Sequence, residues 1–417
     1  MREGLSVDEA QELILAASVP LGAETVSTAE AAARVLAESV DSTRRHPPAD
    51  CSAMDGYAVR HADLTHASAD APVSLPVVYE VAAGGHAARS LEAGEAARIF
   101  TGAPLPPGAD SVVRQEDTRA SDGRVEILVS PEPRLHVRDG GEDFEVGDRL
   151  IEAGVVLGSS HLGVLASIGR TIVSVSQRPT VSILSSGDEL VEPDGPADAG
   201  QIVSSNSYTL AAACRETGAE PSYLGIARDS PEDVERRLRA GLRADVIVTS
   251  AGVSVGDHDH VRGALEKVGC KLQFWGVRMK PGYPLAFGTI EPTGTLVFGL
   301  PGNPVSAAVT FEQFVRPALR KMMGHTDLYR PVIRARISER MTKQAGRLHF
   351  VRVSLERRDG EFIANPTGNQ SSGVLTSMTR GDGLAIFAAE AESIDAGEEV
   401  AVQILDAGFF DQSERGF

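Results

Sequence analysis

Between Pro179 and Met323 apolar runs and helical patterns take turns along the chain, and that alternation constrains the fold more than any other feature. The runs Thr180 to Leu184, Ser222 to Ile226, Asp245 to Ser250, Leu272 to Val277 and Thr295 to Leu300 have strand length and read as buried strands. Between them fall a helix pattern from Tyr208 to Glu216 closed by Gly218, and a helix capped by Ser230 with Pro231 at its first position. A long helix from Val305 to Met323 follows the last run. Apolar strands alternating with helices predict a doubly wound, mostly parallel sheet.

The chain is longer than one such domain. At about 150 residues per domain, 417 residues give two to four. Ser6 with Glu9 and Ser27 with Glu30 form capping-box patterns ahead of apolar positions, so two helices are expected to open the chain, the second stopped by Pro47 and Pro48. From Ser52 to about Gly141 the pattern changes to short β-like runs (Val73 to Val81, Arg98 to Phe100, Val125 to Val129) split by Gly and Pro. The stretch from Asp148 to about Ser176 returns to mixed structure, so the β-rich module reads as an insertion. From Tyr329 alternating runs (Val332 to Ile337, Leu348 to Leu355, Leu384 to Phe387, Val400 to Ile404) predict a separate small β domain. The expected class is multidomain α/β plus β.

Charge and cysteine usage bound the function. The net charge of −18 disfavours nucleic acid and anionic membranes, so an anionic ligand would need a local basic pocket or a metal ion. Three cysteines, Cys51, Cys214 and Cys270, without a CxxC pair argue against a disulfide framework or structural zinc. No signal-type segment opens the chain and nowhere do 18 apolar residues run together, so a soluble, cytoplasmic protein is expected.

In an open α/β sheet ligands bind beyond the carboxyl ends of the strands. Here those loops read SSGDEL (Ser185 to Leu190), TSAGVSVGD (Thr249 to Asp257) followed by His258 and Asp259, RMKPGYP (Arg278 to Pro284) and GLPGNPVS (Gly299 to Ser306). Glycine lets backbone approach a ligand, and consecutive amides form an anion nest, so phosphate or a similar oxyanion is the natural guest. Any one loop is equally well a plain turn; four at corresponding strand ends favour a site. Neither GxxxxGK[ST] nor GxGxxG is present. Asp188, Glu189, Asp229, Asp257 and Asp259, with Asp55, Glu142 and Asp143 elsewhere, could hold Mg2+ around a phosphate, or serve singly as caps and surface charges. His258 and His260 are taken as loop residues. Between Arg330 and Arg358 nine Lys or Arg stand against two Glu, a basic patch that reads either as the anion pocket or as a solvated strand face.

Taken in order, SAMDGYA at 52, FTGAPLPPGAD at 100 with EDT at 116, VRDGGED at 137, SSGDEL at 185, SN at 205, GVSVGDHD at 252, MKPGYP at 279, GLPGNPVSA at 299, GRLHFVRV at 346 and GNQSSG at 368 resemble the molybdopterin molybdenumtransferase family, of the MoeA and gephyrin E-domain type. The resemblance spans essentially the whole chain. It implies an elongated helical and mixed domain (1–50 and 142–178), an inserted β domain (51–141), a doubly wound molybdopterin-binding α/β domain (179–326) and a C-terminal β-barrel-like domain (327–417), assembled as a homodimer. The implied reaction inserts molybdate into adenylylated molybdopterin with Mg2+, releasing AMP and molybdenum cofactor for a molybdoenzyme or carrier recipient.

By matching motif positions, the resemblance implies that Asp55, Thr101 and Asp143 are outer cleft residues and that Glu189, Asp229 and Asp259 form its acidic, metal-holding lining. Lys280, with Ser306, Arg352 and Ser372, would hold molybdate or phosphate. Ser186, Gly252, Ser254, Gly256, Pro301, Gly302, Asn303 and Pro304 would cradle the rest of the substrate. Four positions depart from the family pattern: Tyr283 stands for the second lysine of KPGK, Gly276 where some members carry lysine, Ala251 for a glycine of the SGG turn, and Ser204 for the aspartate before SN. Two other readings stay open at this point, a molybdopterin adenylyltransferase and a non-catalytic scaffold or carrier of the same fold.

Overall fold

A computed structural model of the chain describes residues 1–251, 260–291, 293–406 and 408–411. It divides into two compact units, one of residues 1–37, 154–157 and 173–417, the other of residues 38–153 and 158–172.

The larger unit is built on a seven-stranded sheet. Its order is Arg2–Leu5, Cys270–Val277, Ala286–Ile290, Thr295–Leu300, Val246–Ser250, Thr180–Ser186, Glu220–Ala227. Pairing is parallel from Thr295–Leu300 to the Glu220–Ala227 edge, as the apolar runs predict, while Ala286–Ile290 runs antiparallel to both neighbours. That strand and the short Arg2–Leu5 edge were not foreseen, because AFGTI and REGL are too short to show a period. One face of the sheet packs against Val7–Ala17, Asn206–Thr217 and the helical run from Pro304 to Met322, the other against Pro231–Gly241 and His260–Lys267. Phe274, Phe287 and Phe298 are fully buried on the first face, each contributing about 2–3 kcal/mol.

The caps form as predicted at two helices. Ser6 and Glu9 close a reciprocal capping box, with Ser6 N donating to Glu9 Oε2 at 2.8 Å and Glu9 N to Ser6 Oγ at 3.2 Å, and Ser230 Oγ accepts from Asp233 N at 3.2 Å. The second opening helix does not form. Thr28–Glu30 is a single 3-10 turn without a side-chain cap, and Ala33 takes a left-handed φ of +61°. The backbone then extends: Ala33 N donates to Leu157 O, Leu36 N to Val155 O, and Val35 and Leu36 bridge Val156 and Val175. Burial of Val35 and Leu36 in that arrangement overrides the capping pattern. The predicted long helix after Val305 is continuous but changes winding, Pro304–Thr310 and Arg316–Met322 flanking a π-helical turn at Phe311–Val315.

The C-terminal part closes into a five-stranded barrel. Leu348–Arg358, Glu361–Pro366, Val332–Ile337, Glu399–Ile404 and Gly383–Phe387 pair in that order, and the last pairs back on the first. Val351, Val353, Ala385, Phe387 and Val402 fill its interior.

The smaller unit holds a six-stranded sheet, ordered Ser111–Arg114, Gly56–Val59, Ala96–Ile99, Val73–Val81, Arg124–Ile127, Thr118–Ser121. Gly56 in SAMDGYA is explained by strand approach, since a Cβ there would lie 2.0 Å from Val113 O. In the same unit Ser159–Ser167 is helical.

Candidate functional site

Strand-end loops of the larger unit are fixed by local hydrogen bonds. In SSGDEL, Gly187 turns with φ +148° and its N–H donates to Ala227 O at 3.2 Å. That φ is what favours glycine at the turn, and the Glu189 carboxylate folds back over it, its Oε2 2.4 Å from where a Cβ would stand. Ser186 Oγ donates to Asp229 Oδ1 at 3.3 Å, and Asp229 N to Asp188 Oδ1 at 3.1 Å. Glu189 and Asp229 are exposed.

Asn206, at the start of its helix, donates its amide to Ser250 Oγ at 2.7 Å and to Gly302 O at 2.8 Å. One side chain thus fixes the end of the Val246–Ser250 strand against GLPGNPVS. In that loop Pro301 is buried, Gly302 and Asn303 are exposed, and Pro304 takes the first helical position, with Ala307 N donating to Asn303 O at 2.9 Å. Ser306 is buried one turn further on.

The MKPGYP loop joins the sheet to the barrel. Met279–Lys280 pairs in parallel with Leu348 and His349. Gly282 has φ +106°, and a Cβ there would lie 2.5 Å from Thr310 Cγ2, so the loop packs against the helix after GLPGNPVS. The Lys280 side chain is exposed, with no hydrogen bond or ion pair to a described residue.

Arg352, 1% exposed, is the largest fully buried side chain. Its Nε donates to Ser377 Oγ at 3.1 Å and its Nη2 to Ser371 O at 3.2 Å, while Nη1 has no partner among the described residues. Burial pulls the guanidinium down to about 10. Gln370 fixes the backbone here, accepting from Arg352 N at 2.9 Å and donating to Arg352 O at 3.0 Å. Ser372 O accepts from Val305 N at 3.1 Å, which brings the GNQSSG turn onto GLPGNPVS. His349, on the same strand, is also buried with both ring nitrogens unpartnered among the described residues; burial, then Lys280, Arg352 and Lys343, hold it down to about 4, so it is neutral. A buried guanidinium N–H without an acceptor among the described residues is what an oxyanion site presents when its anion supplies the acceptor.

Pro301 to Ser306, Lys280, Arg352 and Ser372 thus sit on segments bonded or packed to one another, while Ser186, Glu189 and Asp229 sit on a second pair of bonded loops. Gly252, Ser254, Gly256 and Asp259, with Asp257 and His258, lie outside the described residues. Asn206, Ser250 and Gln370 were absent from the predicted site set, although SN, TSAGVSVGD and GNQSSG carried them. The basic patch resolves mostly into ion pairs: Arg330–Glu312, Arg334–Glu399, Arg336–Glu361, Arg340–Asp395 and Arg358–Glu356. Arg352 is left as its buried cation.

In the smaller unit Asp55 Oδ1 accepts from Thr101 N and Thr101 Oγ1, both at 2.8 Å, and these bonds hold its carboxyl below the usual range. Arg98 lies over the rings of Tyr57 and Phe100, 5.0 Å from each centroid. Asp143 is exposed, its backbone N–H bonded to His46 O at 3.0 Å, and no hydrogen bond joins it to Asp55 or Thr101.

Metal ligation has a narrow chemical range here. Among the described residues no three or more His, Cys, Asp and Glu gather at metal-binding spacing. Glu189 and Asp229 still offer exposed carboxylate oxygens on loops joined by the Ser186–Asp229 bond, an all-oxygen set that fits Mg2+ completed by phosphate oxygens. The three cysteines are buried free thiols, and burial pushes Cys214 and Cys270 up to about 12, so neither presents a thiolate.

The fold defines a multidomain α/β protein with an appended five-stranded barrel. Family models match in order the MoeA N-terminal region (domain I and II) at residues 5–169, a probable molybdopterin binding domain at 182–321, and the MoeA C-terminal region (domain IV) at 334–405. A molybdopterin molybdenumtransferase of a Nostoc species is 40% identical over 383 residues, covering 91% of this chain and 88% of the relative. One from Haemophilus influenzae is 35% identical over 404 residues, covering 96% and 98%. The crystal structure of the molybdopterin biosynthesis MoeA protein from Pyrococcus horikosii superposes with a TM-score of 0.83 at 33% identity, covering 96% of this chain and 99% of that one. The chain belongs to the molybdopterin molybdenumtransferase family.

Proposed function

We propose that this chain inserts molybdate into adenylylated molybdopterin, releasing AMP and molybdenum cofactor. The observation that carries the reading is the buried Arg352, whose Nη1 has no partner among the described residues and whose Nη2 bonds the Ser371–Ser372 turn, which in turn meets the GLPGNPVS helix start through Ser372 O. In this reading Arg352 and the unpaired Lys280 hold molybdate oxygens, and Ser306 and Ser372 bound the same space. Cations fixed before the anion arrives stabilise charge that develops as oxygen is displaced. Glu189 and Asp229, with Asp259, would hold Mg2+, which when bound offsets phosphate charge. Asp55 and Thr101 form a preset hydrogen-bonding pair and Asp143 an exposed carboxylate for the outer cleft. Ser186 and the glycine-bearing loops take the phosphate and the rest of the substrate.

The reading extends to a cytoplasmic homodimer of four-part subunits with the boundaries given above, passing its product to a molybdoenzyme or carrier. Among the described residues no helix is long and apolar enough to cross a membrane. Purified protein incubated with adenylylated molybdopterin, Mg2+ and molybdate should release AMP in proportion to molybdate until saturation. Release no greater than in buffer at every molybdate concentration would refute the activity, and a sedimenting mass of one chain would refute the dimer.

A further inference from the structure

The helical run after GLPGNPVS changes winding for a reason written in the sequence. Pro317 has no N–H to offer the carbonyl four residues back, Gln313 O, and its ring crowds that position. The helix responds with the π turn Phe311–Val315, in which Arg316 N donates to Phe311 O. Gln313 O takes its hydrogen bond from another element instead, Gln11 Nε2 of the Val7–Ala17 helix, at 2.9 Å. The Gln313 side chain reaches the barrel, its Nε2 donating to Gln403 Oε1 on the strand Glu399–Ile404 at 2.5 Å. Gln313 is 4% exposed and Gln403 6% exposed, so the two amides meet away from water.

This amide pair interrupts an apolar seam. Phe311 and Phe314 of the π turn share one buried cluster with Phe350 and Leu384 of the barrel, and such non-directional contacts fix no register. A directional polar pair does fix one, whereas for stability alone two apolar side chains would serve as well. Register matters because of what the same barrel face carries. Gln403 is the cross-strand partner of Leu384, and Leu384 of Arg352. The three side chains therefore share a face, with Arg352 two strand spacings, about 9–10 Å, from the pair. The helix Pro304–Thr310, which carries Ser306, meets the barrel side at Val305 N–Ser372 O; one attachment leaves a helix free to pivot, and Gln313 supplies the second. We propose that Gln313 is a positioning residue for the anion site, its bond to Gln403 setting the strand that carries Arg352 in register with the helix that carries Ser306. The inference rests on the proposed function and deepens it, since it names what holds the two halves of that site in one geometry.

The test uses the full chain with Gln313→Leu, Gln403→Leu and the double variant. Each single variant leaves one amide buried without its partner and should lower the urea midpoint, whereas the double variant removes both amides and should return it to the parent value. Positioning predicts a different pattern for molybdate. In the AMP-release assay KM for molybdate should rise about tenfold in every variant, the double included, while KM for adenylylated molybdopterin stays within about twofold. The molybdate concentration that gives half of the thermal-midpoint rise should also increase about tenfold, a readout that needs no turnover. A molybdate KM that recovers with stability in the double variant would overturn the proposal, because the pair would then serve packing alone, and so would a KM unchanged throughout. Where a single variant fails to fold, the double variant decides by itself. The two readings fail separately: AMP release with molybdate KM unaltered sinks only the positioning role, whereas weakened molybdate binding in the variants with no AMP release from any chain sinks only the transferase. A parent chain that neither binds molybdate nor releases AMP overturns both.

Discussion

Replacing Arg352 with methionine separates a structural arginine from a ligand-holding one. Methionine keeps the length and apolar volume of the side chain and deletes its charge. The guanidinium makes two hydrogen bonds, to Ser377 Oγ and Ser371 O, which as charge-assisted bonds are worth about 1.5–3 kcal/mol each, or about 3–6 kcal/mol together. Against them stands the desolvation of a fully buried cation, which lowers it to about 10 and costs about 3 kcal/mol. Ser377 keeps a partner after the substitution, because its hydroxyl also donates to Val374 O at 2.6 Å. The difference is a loss of about 0–3 kcal/mol, so Arg352→Met should stay folded with a thermal midpoint lowered by no more than about 5–10 °C. If Nη1 awaits an anion, molybdate-dependent AMP release should fall about 100- to 1000-fold, the usual loss on removing one preorganised charge partner. Molybdate should also raise the thermal midpoint of the parent chain and leave that of the variant unchanged. Release within threefold of the parent would refute the anion role, and a collapse of the midpoint by about 20 °C would show that the arginine serves the fold.

Three further outcomes follow from other parts of the site. His349 is held at about 4 in the folded chain against about 6.5 unfolded, so the unfolded state binds the extra proton between those values and stability falls as pH drops through that window, by about 3 kcal/mol at the acid end. His325, lowered to about 4 by burial and then Arg320 and Arg316, adds a slope of the same sign, so His349→Phe should remove only part of the difference between urea midpoints at about pH 5 and about pH 7.5; an unchanged difference would contradict the assignment. Tyr283→Lys should cost about 1–2 kcal/mol by losing the edge contact to Trp275 (5.6 Å) and the Arg347 guanidinium over its ring (4.8 Å), yet raise molybdate-dependent AMP release about tenfold; unchanged release would show that the missing lysine is irrelevant to rate. Asn206→Ala should lower stability by about 2 kcal/mol in urea unfolding, since Ser250 Oγ and Gly302 O lose a shared donor; a loss below about 0.5 kcal/mol would mean the loops hold without it.

Period and punctuation made much of the fold legible. Thr295–Leu300, Val332–Ile337 and Val73–Val81 have the residue limits their apolar patterns predict, and the Ser230–Pro231 cap starts its helix where expected. Local signals failed where tertiary contacts outweighed them. The Ser27–Glu30 pattern lost to pairing of Val35 and Leu36 with distant segments, and the antiparallel Ala286–Ile290 is set by its two neighbours rather than by its own sequence. The same limit applies to the site. Glycine and proline marked the loops, because their backbone needs are local. Asn206, Ser250 and Gln370 act across long sequence separations, and no local pattern reports that Asn206 reaches Gly302 or that Gln370 grips Arg352. Nor could composition say which cations of the 330–358 stretch are spent on carboxylates, since that depends on which strands pair.

The departures from the family pattern gain a physical meaning once their neighbours are known. Gly276 has φ +79°, and a Cβ there would lie 3.2 Å from the Tyr283 ring, so the two positions are coupled. A side chain at 276 would be strained by its backbone as well as by the ring, which means Gly276→Lys should destabilise the chain whatever charge it adds. Tyr283 in turn carries the Arg347 guanidinium on its face, so a positive group is retained beside this loop although the lysine is gone. Ala251 shows the same logic at the other loop: it sits at φ +71°, and a Cβ on Gly302 would lie 3.1 Å from its own. The glycine missing from the first turn is thus matched by one that must remain in the second. Both substituted positions have a glycine partner that makes room for them. Neither Tyr283 nor Ala251 is a partner in the bonds that hold Arg352, so both departures are absorbed by local packing without touching that guanidinium.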